Sequence, residues 1–328
     1  MLKHKKILLI APKFHHYHLS IKEGIEQLGA NVIFMYDVVN NKFFNNIRHR
    51  TKYPINRVFD NFYHKYMLSQ IDDSFDIIFL IRGELIDKVF LEKVRKKALN
   101  AKFVMYQWDS LAHHKYKDII PYFDKVYSFD KKDAKTLNIK YLPLFYTQEY
   151  KIVRNSSQDK IYDIVFFGTH HSGRLDIIKK IESLSKKNNL KFKHHLYTNA
   201  FYKFKLRLFS SFPKEDLKYL KTKTLTLKDI VKIYEQSKAV LDIEMSNQTG
   251  LTIRTIEALG AGKKLLTTNK EIINSEIYDS NYVQIIDRDD IKIDSDFFKD
   301  NAIDNTEKLK KYSLENWLIQ ILKVANNE

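Results

Sequence analysis

Cysteine is absent from this chain of 328 residues. Disulfides, cysteine nucleophiles and cysteine-held metals are excluded by that absence, while the redox environment stays open. No stretch approaches the roughly 18 consecutive apolar residues of a membrane-spanning helix. The opening MLKHKKILLIAP has a basic start and an apolar run. That run is short, and no small-residue cleavage pattern precedes His15 and His16, so it reads as a first buried strand of a cytoplasmic protein. No internal repeat stands out. Zinc, helix-turn-helix and base-stacking motifs are missing too, so a nucleic-acid-binding reading rests on charge alone.

That charge is large, a formal +16 from 56 basic and 40 acidic residues, and it points toward a polyanionic partner: nucleic acid, anionic lipid or a phosphorylated substrate. Lysine and asparagine are spread along the whole chain, which also fits a compositional bias. Apolar residues make up 44%, enough for substantial cores, and the length suits two domains of similar size.

Periodicity supports an α/β architecture. Lys6 to Ala11 is an apolar run, and Ile21, Ile25 and Leu28 share one helical face before Gly29. Further strands are expected at Val32 to Tyr36, Ile77 to Ile81, Phe103 to Gln107, Val126 to Phe129 and Tyr141 to Phe145, with Asp87 to Lys97 helical between them. The polar stretch Lys151 to Lys160 interrupts the rhythm and is expected to separate domains 1–150 and 151–328. Beyond it, strands are expected at Ile164 to Phe167, Phe192 to Tyr197, Ala239 to Ile243, Lys264 to Thr268 and Tyr282 to Ile286. Leu175 to Leu184 and Leu227 to Gln236 read as helices, as does Ser313 to Val324, whose apolar stripe is expected to pack back on the first domain. Two such units imply ligand sites at the strand C-termini, in a cleft.

Within 201–212, Phe201, Phe204, Leu208, Phe209 and Phe212 fit one helical face, with Lys203, Lys205 and Arg207 as the only charges. Such a segment suits an anionic membrane surface, or a helix packed on its own domain with lysines in water.

The segment 246–269, SNQTGLTIRTIEALGAGKKLLTTN, carries the best-marked ligand signal. Gln248, Thr249 and Gly250 permit a tight connection to a helix expected to begin near Leu251, whose free N–H groups and positive dipole end suit a phosphate. Thr249 and Thr252 offer hydroxyls, Arg254 a guanidinium one turn on, and Lys263 and Lys264 are weaker cationic candidates. Glu257 is expected about two turns along, where a carboxylate accepts hydrogen bonds from sugar hydroxyls. An ordinary helix with a glycine cap and a surface carboxylate fits the same composition.

TIRTIEALGAGKKLLTTN resembles the donor-site region of bacterial GT-B glycosyltransferases of the family-4-like and spore-coat CgeB-like kind. FVMYQWDSLAHH at 103–114, DIVFFGTHHSGRLDII at 163–178 and AVLDIEMSNQTG at 239–250 follow in the order that family has. The resemblance implies two Rossmann-like parallel-sheet domains facing a cleft, a nucleotide-sugar donor in the second domain, and a saccharide or lipid-linked acceptor in the first. It implies that Glu257 binds the ribose, that Thr249, Gly250 and Leu251 lie beside the diphosphate, and that Arg174 neutralises it. Many retaining relatives place a second glutamate where Thr249 stands, so the stereochemical outcome is not carried over.

Arg174 has its own argument. It follows a strand ending at Gly168 and the loop from Thr169 to Gly173, and arginine pairs well with diphosphate oxygens. His170 or His171 is expected to reach the same ligand. On the acceptor side, His16 and His18 in the loop after the first strand, Asp109 after the fourth, and Glu84 after the third are general-base candidates. Helix capping by Asp109 and local hydrogen bonding by the histidines are the plainer readings. No cofactor and no metal are expected. Sugar transfer in surface polysaccharide synthesis, such as capsule or lipopolysaccharide, is the reading this favours. Nucleotide-sugar epimerisation, a non-catalytic scaffold and nucleic-acid binding stay open.

Overall fold

A computed structural model describes residues 2–39, 55–171, 173–245, 248–299 and 306–322. The chain folds as two compact units, 1–144 with 314–328, and 145–313. Ser172, Ser246, Asn247, Lys323 and Val324 of the motifs above lie outside the described residues.

The first unit runs β1 (Lys6–Ala11), α1 (Tyr17–Gln27), β2 (Asn31–Tyr36), α2 (Ile55–Ser69), β3 (Ile77–Ile81), α3 (Lys88–Lys97), β4 (Lys102–Gln107), β5 (Lys125–Ser128), α4 (Lys131–Leu137) and β6 (Lys140–Tyr141). Its six strands are all parallel and ordered β2-β1-β3-β4-β5-β6. Every residue of β3, IIFLI, is buried, the pattern of a central strand covered on both faces. Asp87 caps α3 by accepting from the Phe90 N–H at 2.8 Å. The expected strand from Tyr141 to Phe145 stops at Tyr141. Pro143 has no N–H to give to a sheet, so Leu142, Leu144 and Phe145 are buried in irregular backbone instead.

The second unit contains α5 (Gln148–Arg154), β7 (Tyr162–Thr169), α6 (Arg174–Lys187), β8 (Phe192–Tyr197), α7 (Ala200–Phe209), β9 (Leu220–Lys221), α8 (Leu227–Glu235), β10 (Ser237–Asp242), α9 (Ile253–Gly260), β11 (Lys264–Thr267), β12 (Val283–Ile285) and α10 (Thr306–Lys310). The sheet is again parallel, ordered β12-β11-β10-β7-β8-β9. The segment expected as a polar linker begins inside a helix, because α5 buries Tyr150 and Val153 while Lys151 faces water. The last helix, α11 (Leu314–Leu322), belongs to the first unit, where Leu318 packs on Gly24 of α1. No described helix is long and apolar enough to cross a membrane.

Candidate functional site

In each sheet the chain reverses direction of winding beside its first strand, and open α/β sheets bind ligands at the carboxyl ends of the strands flanking such a reversal. In the second unit those strands are β7 and β10. Arg174, the first residue of α6, spans them: Nε and Nη2 donate to the Ile243 carbonyl at 2.9 and 2.5 Å, and Nη1 donates to the Thr169 carbonyl at 3.0 Å. Arg254 of α9 joins it, donating to the Phe167 carbonyl with its guanidinium 4.2 Å from the Phe167 ring centroid. Gly168 lies between the two: a methyl group there would meet Arg174 Nη1 at 3.1 Å and Arg254 Nη1 at 3.6 Å.

Neither arginine forms an ion pair among the described residues; the groups they donate to are main-chain carbonyls, and the carboxylates of Asp242 and Glu244 act on Arg174 without a direct ion pair. Burial, and then the charge of Arg254, brings the Arg174 guanidinium down to about 10, which leaves it protonated at neutral pH. Two neighbouring cations held this way favour an anion that bridges them. His171 is depressed to about 4, first by burial and then by Arg174, His170 and Arg288, so it faces the site as a neutral ring. Burial also lowers His170, whose ring packs 5.9 Å from Phe212 and 6.3 Å from Tyr202. Arg288, by contrast, is neutralised by Glu244 at 2.7 Å.

The start of α9 departs from expectation. The helix begins at Ile253, and Thr252 caps it by accepting from the Thr255 N–H at 3.2 Å. The Thr252 and Thr255 hydroxyls both donate to the Asp242 carboxylate, at 2.8 and 2.9 Å. An internal anion therefore already answers the positive end of this helix, and Thr252 is spent on it rather than free for a phosphate. Gln248, Thr249, Gly250 and Leu251 form the loop before the cap. That loop is tied down by Asn269 Nδ2, which donates to the Gly250 carbonyl at 3.1 Å, and by Gln248 Nε2 at 3.3 Å. Gly173, ahead of Arg174, adopts a left-handed conformation, with φ of 71°. Glu257 lies little more than one turn into α9 and is only 1% exposed. Its charge and that of Arg254 both reach the buried Tyr234 hydroxyl. Lys263 and Lys264 point away from the site, donating to the carbonyls of Ser237 and Phe297.

The first unit gathers a second cluster at the ends of β3 and β4, with Asp37 joining it from the end of β2. Arg82 pairs with Glu84 and with Asp109, both at 2.7 Å. His114 sits 3.8 Å from Glu84 and 3.2 Å from the Arg82 carbonyl. Arg82 and Gly83 both have positive φ, 65° and 82°, a turn held from below by Asp37, which accepts from the Glu84 N–H at 3.0 Å. Burial, the main cause, raises the Asp37 carboxyl. Neither Asp37 nor His114 was legible as a site residue, since their partners come from other strands. Phe14 and Trp108 meet at 5.8 Å beside this cluster, and Phe14 stacks on Tyr17 at 5.7 Å.

The histidines of this unit separate. His16 occupies the N-cap position of α1. His18 faces inward, 5.7 Å from the Phe34 ring and 5.8 Å from that of Tyr36, and its pKa is lowered chiefly by burial. An imidazole sealed among rings is poorly placed to take a proton from a bound hydroxyl, so His18 is a weaker base candidate than its position in the sequence implies. The expectation of no metal goes with a chain lacking the D-x-D triplet of some metal-dependent transferases, but two such triplets are present, 287–289 and 294–296; Asp287 pairs with Lys270 and Asp296 with Lys299. No group of three metal-ligating side chains occurs among the described residues.

No model of a known protein family matches the chain, and no curated protein matches it by sequence. Solved structures match over nearly its whole length. A glycosyltransferase from Rickettsia africae is 13% identical with a TM-score of 0.57, covering 99% of this chain and 100% of its own. Anabaena HepE, solved in complex with UDP and glucose, is 11% identical with a TM-score of 0.57 over 99% and 100%. An α,α-trehalose-phosphate synthase from Burkholderia xenovorans, in complex with glucose-6-phosphate, is 8% identical with a TM-score of 0.65 over 98% and 100%. The fold is of the GT-B type, two parallel sheets each flanked by helices.

Proposed function

We infer that the protein is a glycosyltransferase that moves a sugar from a nucleotide-sugar donor to a hydroxyl of a saccharide or glycolipid, in the synthesis of a surface polysaccharide. The observation that carries this reading is Arg174 joined to Arg254 around Gly168 at the strand-order reversal of the second unit. A GT-B fold places its own demand on such a pair, since a departing nucleoside diphosphate needs its negative charge met as it leaves. Solved GT-B structures with bound UDP or sugar phosphate support the ligand class.

In this reading the arginines, the neutral His170 or His171 and the backbone of Thr249, Gly250 and Leu251 hold the diphosphate. Glu257, buried in the same helix as Arg254, meets the ribose. The acceptor oxygen attacks the anomeric carbon, the bond from that carbon to the diphosphate oxygen breaks, and the acceptor proton passes to a base. Asp109 is our choice for that base: it is paired with Arg82 but at 40% side-chain exposure is more open than Glu84 at 35%. Phe14 and Trp108 supply apolar ring faces on which an acceptor sugar can rest.

Titrating the protein with a panel of nucleotide-sugars by calorimetry, then adding extracted glycolipid, tests this directly. Selective donor binding followed by sugar transfer is expected, with Arg174→Gln weakening donor binding roughly 10- to 100-fold. Failure of every nucleotide-sugar to bind would sink the reading. Turnover that needs no acceptor would replace it with epimerisation.

A further inference from the structure

Helix α7 is built inside out. A helix on a globular surface turns its apolar stripe to the core, yet α7 buries only Leu206. Phe201 is 70% exposed, Phe204 53%, Leu208 54% and Phe209 76%. At 100° per residue, Phe201, Phe204 and Leu208 occupy the arc opposite Leu206, so the most outward part of the helix is its most apolar. Phe212, expected on the same face, lies beyond the end of the helix and packs on His170 instead.

The charges on this helix share one sign. Lys203, Lys205 and Arg207 lie on the helix and Lys214 follows it, and none of the four enters an ion pair among the described residues. Lys203, Arg207 and Lys214, with Phe204 and Leu217, line a cavity of 470 Å³ beside the helix. Lys203 reaches the Leu220 carbonyl at 2.6 Å, and Lys205 lies 5.4 Å from the Phe201 ring centroid. The nearby carboxylate of Asp216 is engaged elsewhere, by Lys179 at 2.7 Å.

We propose that α7 docks the protein on an anionic phospholipid bilayer, with Phe201, Phe204, Leu208 and Phe209 entering the headgroup region and Lys203, Arg207 and Lys214 receiving a lipid phosphate. Aromatic and aliphatic side chains exposed together are costly in water and suited to that interface, and the surrounding cations match the charge of an anionic leaflet. A second copy of the chain fits this face badly, because pairing it with itself brings like charges together. Single-stranded nucleic acid fits less well than lipid, because the outward arc offers no hydroxyl or amide to read a base or ribose. The proposal stands independently of sugar transfer.

Sedimentation of the full chain with vesicles of phosphatidylcholine, with and without phosphatidylglycerol, tests it. Binding is expected to the anionic vesicles and to be at least about tenfold weaker to the neutral ones. The triple variants Phe201→Ser/Phe204→Ser/Phe209→Ser and Lys205→Glu/Arg207→Glu/Lys214→Glu should each reduce binding about tenfold while keeping the parent's melting temperature, since the replaced side chains are exposed. If either triple lowers the melt, the single changes Phe209→Ser and Lys214→Glu replace it. Vesicle binding that is absent, or indifferent to both sets of changes, overturns the proposal. So does self-association dispersed by the serine changes, or binding of an oligonucleotide in place of vesicles.

Discussion

Lys263 shows what burial does to one charge. Its Nζ donates to the Ser237 carbonyl at 2.9 Å, and burial, followed by repulsion from Lys160, brings the ammonium down to about 7 from the ordinary 10.5. The unfolded chain keeps this proton up to the ordinary value, whereas the folded chain releases it from about 7. Folding is therefore favoured increasingly as pH rises through that window, by about 1.4 kcal/mol per pH unit for this group. Lys263→Met removes the contribution. Urea unfolding of parent and variant across the window should show the parent gaining on the variant as pH rises; parallel curves would mean the ammonium is not desolvated. Arg174 sits nearer the opposite limit, lowered to about 10 yet charged at neutral pH, which is what a phosphate ligand requires.

Among the elements, α9 is held at both ends by other parts of the second unit. Asp242 binds its cap, and Arg154 of α5 donates to the carbonyls of Leu259 and Gly260 at 2.7 and 3.0 Å. Gly260 presses on Tyr146: a methyl group there would lie 2.5 Å from Cγ of the ring. Alanine normally stabilises a helix over glycine, by about 0.5–1 kcal/mol. Here Gly260→Ala is expected to cost about 1–3 kcal/mol, because the ring and helix must part. Chemical denaturation decides the sign, and a stabilised variant would refute the contact. Strands such as β3 and β4 were legible because burial on both faces writes itself as an unbroken apolar run. The α9 start was not, since its cap depends on Asp242, ten residues upstream, and hydrogen-bond partners leave no periodicity. The end of α7 was missed for a local reason: Pro213 biases Phe212 toward extended backbone. Arg174 was legible from its place after a glycine-bordered strand; the Arg82, Glu84, Asp109 and His114 cluster was only half legible, because two separate strand ends assemble it.

For the molecule as a whole, the first unit is discontinuous in sequence. Trp317 of α11 is buried with Tyr106 at 4.7 Å and Phe79 at 6.3 Å, and its Nε1 donates to the Pro143 carbonyl at 3.1 Å. Removing residues 314–328 is expected to strip amide-exchange protection from β1, β3 and β4 while leaving β7 and β10 protected. Equal loss in both units, or none, would contradict the division. The second unit, in contrast, is one continuous segment whose two ends lie side by side, Tyr146 N–H donating to the Tyr312 carbonyl at 2.9 Å. This arrangement inverts the order of completion during synthesis. Domains generally fold as their residues leave the ribosome. The second unit can close as soon as residue 313 has emerged, but the first, although begun earlier, waits with an open core for Trp317, which follows the whole of the second unit.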